Sequence, residues 1–252
     1  MALRRKSRPP GYAHLRQALN AASQARKPVV FIVAGHNGSG KSTLWYERLA
    51  PRLKIPLINA DRLMLSILPP PKAQELPAWA QSLRDTDERW QRLSQQGVQV
   101  FTGLIMSQKM PFAFETVFSH WQVRADGTIE SKADIITALQ KSGYFVVLLF
   151  VGLTSADLSV LRVETRRQQG GHSVPKQKLK ARFPRTQQSV RHAAPLADRT
   201  LMFDNSQRID KAFSLVRAQR GRRVLYDCRS DPNARRLCRV ASIWLNHVAP
   251  LS

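Results

Sequence analysis

Val29-Val30-Phe31-Ile32-Val33-Ala34-Gly35-His36-Asn37-Gly38-Ser39-Gly40-Lys41-Ser42-Thr43 decides the fold of this chain. Its first five residues are an apolar run of the length and composition of a buried strand. Directly behind it, Gly35 to Ser42 match the pattern G-x-x-x-x-G-K-[ST]. The glycines let the backbone wind tightly enough for successive N–H groups to point inward at a phosphate. Lys41 can reach the β and γ oxygens, and Ser42 can ligate Mg²⁺. Thr43 to Leu49 reads as the helix whose N-terminus faces the anion, stopped at Pro51. Strand, glycine-rich loop and helix in this order predict a P-loop. Gly35, His36, Asn37, Gly38, Ser39, Gly40, Lys41, Ser42 and Thr43 are then the expected nucleotide-binding residues.

Outward from this loop, four more short apolar runs suit strands: Pro56–Asn59, Pro111–Glu115, Tyr144–Val151 and Thr200–Phe203. Helical sequence separates them, which predicts an α/β fold with a parallel sheet covered on both faces and ligand at the carboxyl ends of its strands. Residues 11–25 read as an amphipathic helix. Pro69-Pro70-Pro71 opens a long connection in which Asp85–Gln96 and Val98–Lys109 have helical periodicity. Such an insertion is expected either to cap the site, excluding water from phosphoryl transfer, or to decorate the fold with Trp79 and Trp90 as packing residues. Phe213–Val216 and Arg223–Tyr226 flank Gln219-Arg220-Gly221-Arg222, a hairpin signal, and 234–248 fits a closing helix with Leu237, Val240, Ile243, Trp244 and Val248 as its apolar residues. The expected organisation is a basic helical extension over 1–27, a kinase-like domain over 28–211 with a helical insertion at about 69–110, and a hairpin–helix extension over 212–252.

Functional residues should follow the strands, and the chemistry-bearing side chains fall there. Asp61 follows the second strand, where a carboxylate can take the proton of a substrate hydroxyl as its oxygen attacks phosphorus; the alternative role is to cap the next helix. Glu115 and Thr116 end the third strand. Glu115 can orient a substrate hydroxyl, hold Mg²⁺ through water or form a structural ion pair. The fourth strand ends without an acidic residue, so a Walker-B carboxylate has to come from Asp61 or Glu115. Thr154-x-x-Asp157 has the form of a capping box, opening a helix on which Arg162 and Arg166 share a face and can offset charge in a transition state. Gly170-Gly171-His172-Ser173-Val174-Pro175 suits a lid hinge leading into a basic helix with Lys176, Lys178, Lys180, Arg182 and Arg185, kinked or broken at Pro184.

Composition narrows the partners. The chain has 252 residues with 43% hydrophobic content, and no apolar run approaches the roughly 18 residues that span a bilayer. Two cysteines, Cys228 and Cys238, lack zinc-ligand spacing, and no apolar signal core follows the basic start, so a reducing, cytoplasmic setting is expected. Lys and Arg number 40 against 17 acidic residues, a formal +23. Part of this excess is terminal, where a solvated face accounts for it as well as a binding patch does. Nucleic acid, an acidic protein and phosphorylated metabolites all fit the charge, which does not rank them.

Val33–Thr43, Asn59-Ala60-Asp61, Phe114-Glu115-Thr116, Phe150–Leu153, Arg162-Val163, Gly170–Pro175 and Asp204-Asn205-Ser206 together resemble the zeta-toxin branch of P-loop kinases, in the right order over about residues 28–206. The resemblance implies ATP- or GTP-dependent, Mg²⁺-assisted phosphorylation of a sugar hydroxyl on UDP-N-acetylglucosamine, within a toxin–antitoxin system. It implies nucleotide and Mg²⁺ at Lys41 and Ser42, the base at Asp61, substrate at Glu115 and Thr116, and phosphates at Arg162 and Arg166. Three features depart from the family. His36 stands where proline is common, His172 lies near the place of a phosphate-sensing arginine in some members, and neither 69–109 nor anything after 212 has a recognised counterpart. A nucleotide-sugar kinase with an acidic antitoxin is therefore the leading expectation. A kinase for nucleic-acid ends or another small molecule, and a nucleotide-binding regulatory ATPase, are its rivals.

Overall fold

A computed structural model describes residues 12–68, 77–85, 87–168 and 174–251. Its strands are β1 (Val29–Gly35), β2 (Leu57–Ile58), β3 (Phe112–Thr116), β4 (Trp121–Val123), β5 (Ile129–Ser131), β6 (Phe145–Gly152), β7 (Arg199–Asp204), β8 (Ser214–Arg220) and β9 (Arg223–Asp227). Seven of them form one sheet in the order β2-β3-β1-β6-β7-β8-β9, and β4 and β5 pair separately as a hairpin. The first five strands of that order run parallel, whereas β8 and β9 join antiparallel. The chain leaves β1 for one side of the sheet and later returns to its other side. This leaves a crevice at the carboxyl end of β1, and the phosphate-loop sequence occupies it.

The helices are α1 (Tyr12–Gln24), α2 (Lys41–Thr43), α3 (Ala50–Leu53), α4 (Ala60–Ile67), α5 (Ala78–Asp85), α6 (Glu88–Ser107), α7 (Asp134–Lys141), α8 (Ala156–Gln168), α9 (Lys176–Ala193) and α10 (Arg235–Val248). The two central strands are apolar on both faces because helices cover both. Val30, Ile32, Val146, Leu148 and Phe150 face a core with Ile136 of α7, Val190 of α9 and Trp244 of α10. Phe31, Val33, Val147, Leu149 and Val151 face the opposite core with Leu15 and Ala18 of α1 and with Trp45. The period-two alternation of a strand thus feeds two cores at once.

Several local expectations are corrected. The helix behind the loop does not stop at Pro51. A π-helical stretch, Leu44–Leu49, absorbs the irregularity, and Pro51 sits in the first turn of α3, where its missing N–H costs nothing. Instead of two helices over 85–109 there is a single α6. Gly97 does not break it, because a Cβ there would come within 3.0 Å of Leu63 Cδ2, so the glycine serves the close approach of α4 to α6. Trp90 packs with Leu68, Ala80 and Leu83. Helix α9 runs unbroken through Pro184. Ser155, not Thr154, caps α8: its Oγ accepts from Leu158 N at 3.1 Å, and Asp157 is drawn away to Lys180, 3.0 Å distant. The predicted hairpin forms, but as an extension of the main sheet. The closing helix buries Trp244 and Leu245 while Ile243 stands 56% exposed. The triple proline and the Gly170–Ser173 turn with His172 lie outside the described residues.

Trp244 ties the C-terminal helix to the sheet. A Cβ on Gly152 would stand 2.4 Å from its ring, and its indole N–H donates to Asp204 Oδ1 at 2.9 Å. Replacing Trp244 by Ala removes a fully buried ring and leaves Asp204 short of a donor. It should cost about 3–5 kcal/mol, read as a lower midpoint in urea denaturation.

Candidate active site

The loop from Gly35 to Ser42 takes its shape from three tight contacts. Gly38 and Gly40 have φ of +68° and +90°, the left-handed region that glycine tolerates. A Cβ on Gly38 would lie 3.1 Å from Arg162 Cβ and 3.1 Å from Ser159 O, so α8 packs directly on the loop. Ser159 Oγ donates to Asn37 O at 2.7 Å, and Asn205 Nδ2 donates to Ser39 O at 2.8 Å. The loop is thus pinned from α8 on one side and from the end of β7 on the other.

Lys41 is only 6% exposed, and its ammonium donates to His36 O at 2.8 Å. Glu115, next door on β3, supplies the countercharge with Oε1 at 3.9 Å. The other oxygen, Oε2, accepts from Ser42 Oγ and from Asn59 Nδ2, both at 2.8 Å. Phosphate-loop lysine, metal-type hydroxyl and acidic strand end therefore meet at one carboxylate. Glu115, one of the two residues expected to replace a Walker-B aspartate, has its carboxylate at Ser42. Asn59 belongs to the Asn59-Ala60-Asp61 motif, to which the sequence pattern gives a role only at Asp61. Asn59 caps α4, accepting from Arg62 N at 3.2 Å, which is the role weighed for Asp61. The backbone of Asp61 lies in the first turn of α4, beside Asn59, and its side chain lies outside the described residues. Thr116 Oγ1 accepts from Phe118 N at 3.3 Å and turns the chain toward the β4–β5 hairpin.

A cavity of about 710 Å³ opens from the loop. Asn37, Gly38, Lys41, Asn59, Glu115 and Thr116 form its floor, and Phe118 to Gln122 form a wall. Arg166 of α8 and Lys178, Arg182 and Arg185 of α9 line it as well. Arg162 sits instead against the loop near Asp204: burial lowers its pKa and the Asp204 carboxylate opposes that shift. Arg162 and Arg166, one turn apart on α8, thus lie at the loop and at the cavity that opens from it. Lys132, His120 and Gln95 also line the cavity. No motif marked them, because they reach it through the hairpin and α6, whose positions are tertiary facts.

His36 is the oddity of the loop. It is 2% exposed, its ring stacks on Phe183 of α9 at 3.8 Å and 12°, and it meets Phe150 edge-on at 5.8 Å. Neither ring nitrogen has a hydrogen-bond partner. Burial, reinforced by the Lys41 charge, pushes its pKa down to about 3, so the ring is neutral and works as an aromatic plate. Between pH about 6.5, the unfolded value, and about 3, only the unfolded chain takes up this proton, so stability falls as pH drops through that window. His36→Phe should flatten this slope in denaturation midpoints measured from pH 7 to 4, whatever uniform offset it adds.

The match to known proteins agrees with this geometry. The model of the zeta toxin family covers residues 12–227. No curated protein matches the chain. Among solved structures, a chain from the PezAT chromosomal toxin–antitoxin system of Streptococcus pneumoniae is 12% identical with a TM-score of 0.53, over 93% of this chain and 85% of that one. A chain of the AvrRxo1-ORF1:AvrRxo1-ORF2 structure with sulphate ions is 16% identical, TM-score 0.59, over 95% and 72%. A chain of the same pair with ATP is 17% identical, TM-score 0.56, over 95% and 72%. These likenesses show a shared fold. With its phosphate loop, its 2-3-1 strand order at the crevice and a family match over most of its length, this chain belongs to the zeta toxin family.

Proposed function

We propose that this protein is a kinase that transfers the γ-phosphoryl group of ATP or GTP to a hydroxyl of a nucleotide sugar such as UDP-N-acetylglucosamine, acting as the toxin of a toxin–antitoxin pair. The observation that carries this reading is the meeting of Lys41, Ser42 and Glu115 at the floor of a large basic cavity. The loop amides and Lys41 bind the donor phosphates, and Lys41 leaves the His36 carbonyl to do so. Ser42 and Glu115 offer a hydroxyl and a carboxylate side by side, the hard oxygen donors that suit Mg²⁺. They would hold the ion, which when bound would neutralise the charge of the phosphates.

Asp61, one residue beyond the cavity-lining Asn59 and Ala60, accepts the proton of the acceptor hydroxyl as its oxygen attacks the γ-phosphorus and the bond to the β-phosphate oxygen breaks. Arg166 faces the cavity and Arg162 backs the loop, and both offset the negative charge that the transferring group and leaving phosphate carry. Glu115 and Thr116 also border the acceptor space. Six cationic side chains, Lys41, Lys132, Arg166, Lys178, Arg182 and Arg185, line the cavity against one carboxylate, that of Glu115, among the described lining residues. This favours an anionic acceptor and also keeps a nucleic-acid end as the second reading. An acidic antitoxin fits the +23 charge and the toxin–antitoxin setting named for the PezAT neighbour.

Purified protein with labelled ATP or GTP and Mg²⁺ should label a UDP-sugar and leave a 5′-hydroxyl oligonucleotide unlabelled, with Lys41→Ala silent. Labelled oligonucleotide would favour the second reading. Hydrolysis with no labelled acceptor would leave a nucleotide-binding ATPase. Asp61→Asn should lower the transfer rate by about 10²–10⁴-fold while donor affinity stays within a few-fold. An unchanged rate would remove Asp61 as the base.

A further inference from the structure

A second cavity lies at the other end of the sheet, away from the phosphate loop. Its volume is about 700 Å³, close to that of the first. Residues that open three parallel strands border it: Lys27 before β1, Phe145 at the start of β6, and Asp198 with Arg199 at the start of β7. Arg220 and Gly221 reach it from the β8–β9 turn, and Ala21, Gln24 and Ala25 from the end of α1. Strand β6 runs for eight residues between the two ends, so the cavities are ~20 Å apart along the strands. Ligands of open α/β sheets gather at the carboxyl ends of the strands. This cavity is at the amino ends, and the phosphoryl-transfer chemistry uses none of its residues.

Its cations are only partly satisfied. Arg199 donates through Nη1 to the backbone carbonyl of Asp198 at 2.8 Å, while its Nε is buried with no hydrogen-bond partner. The guanidinium carbon lies 5.8 Å from the centre of the Phe145 ring. Burial lowers the pKa of Arg199, the charge of Arg220 lowers it further, and Asp198 opposes the shift. Two like charges thus share a partly dry site. Asp198 is drawn to other donors, since its Oδ2 accepts from Val146 N at 2.8 Å and from Gln140 Nε2 at 3.1 Å. Lys27 adds a third cation. The wall around them is fixed: Gln140 Nε2 also donates to Leu196 O at 2.9 Å, and Thr200 Oγ1 to Ala194 O at 2.9 Å.

We propose that Arg199, Arg220 and Lys27 form a second anion site, separate from the donor and acceptor sites, which takes the phosphate of a nucleotide-sized phosphate ester. An anion between the two guanidiniums relieves their repulsion and gives Arg199 Nε an acceptor. Planar arginine forks suit phosphate oxygens, and Lys27 adds a point charge. Three cations against the one carboxylate of Asp198 select an anion over a cation. The volume falls in the range of roughly 300–1,000 Å³ found for small-molecule sites. Leu196, 40% exposed, offers apolar surface to the body of the ligand together with Ala21, Ala25 and Phe145. Gln24 supplies an amide for its hydroxyl or amino groups.

The site is tested by binding, independently of turnover. AMP, inorganic pyrophosphate and adenosine are titrated calorimetrically into wild type, Arg220→Ala, Arg220→Lys, Lys27→Ala and Arg185→Ala. Arg220 and Lys27 are exposed, so their replacement leaves the cores intact, and Arg185 reports on the cavity at the phosphate loop. One component of AMP binding should weaken about tenfold in Arg220→Ala and in Lys27→Ala, the loss of one charge-assisted contact. Arg220→Lys should recover part of that loss, and Arg185→Ala should leave this component within about twofold. Pyrophosphate should compete for it, and adenosine should bind it at least tenfold more weakly than AMP. The proposal is overturned if no component of AMP binding responds to Arg220→Ala and Lys27→Ala. It is overturned equally if every component that responds to them responds as much to Arg185→Ala, or if adenosine binds as tightly as AMP.

Discussion

The carboxylate of Glu115 is the point on which the site depends. Ser42 from the phosphate loop, Asn59 from the turn before α4 and the ammonium of Lys41 converge on its two oxygens. These groups come from the ends of three neighbouring parallel strands, so the register of the sheet is also the register of the site: Val33 lies opposite Glu115 and Ile58 opposite Phe114. A one-residue slip of β3 would turn Glu115 toward the other face and break all three contacts. In a half-buried position the cost of leaving such a carboxylate unpaired would be large, which makes the polar cluster as demanding of the fold as the apolar cores beneath it.

A second layer of support comes from α8, α9 and the end of β7. Glycine at 38 and 40 is required not only by the backbone conformation but by what presses on it, Arg162 and Ser159 in one case and Asn205 with Phe213 in the other. The loop is consequently preformed, with few of its own side chains involved. His36 extends the same logic to α9 through an aromatic stack in which the imidazole acts as an apolar surface, at the expense of its ability to take a proton.

Much of this was legible in the sequence. Five apolar runs separated by helical sequence marked the parallel strands within a residue or two, and the glycine pattern behind the first of them located the phosphate loop. Local rules failed where two elements meet. Gly97 and Pro184 look like helix breakers, yet α6 and α9 pass through them, Gly97 serving the close approach of Leu63 on α4. Thr154 and Asp157 have the spacing of a capping box, but Ser155 caps and Asp157 goes to a lysine on the next helix. Ile243 has the apolar character of its helix and faces outward, while Trp244 beside it is buried on Gly152.

By itself the sequence determined the fold class, the phosphate loop and the family, because each of these is written in short-range pattern: period-two apolar strands and glycines at fixed offsets. The tertiary structure alone decided that the Glu115 carboxylate meets Ser42, that Asn59 joins it, and that the cations of α9 and Lys132 share the cavity with Lys41. Those groups are separated by tens of residues along the chain. Only the strand order, which brings β3 beside β1, and the covering of the crevice by α9 and the β4–β5 hairpin place their charges within reach of one another.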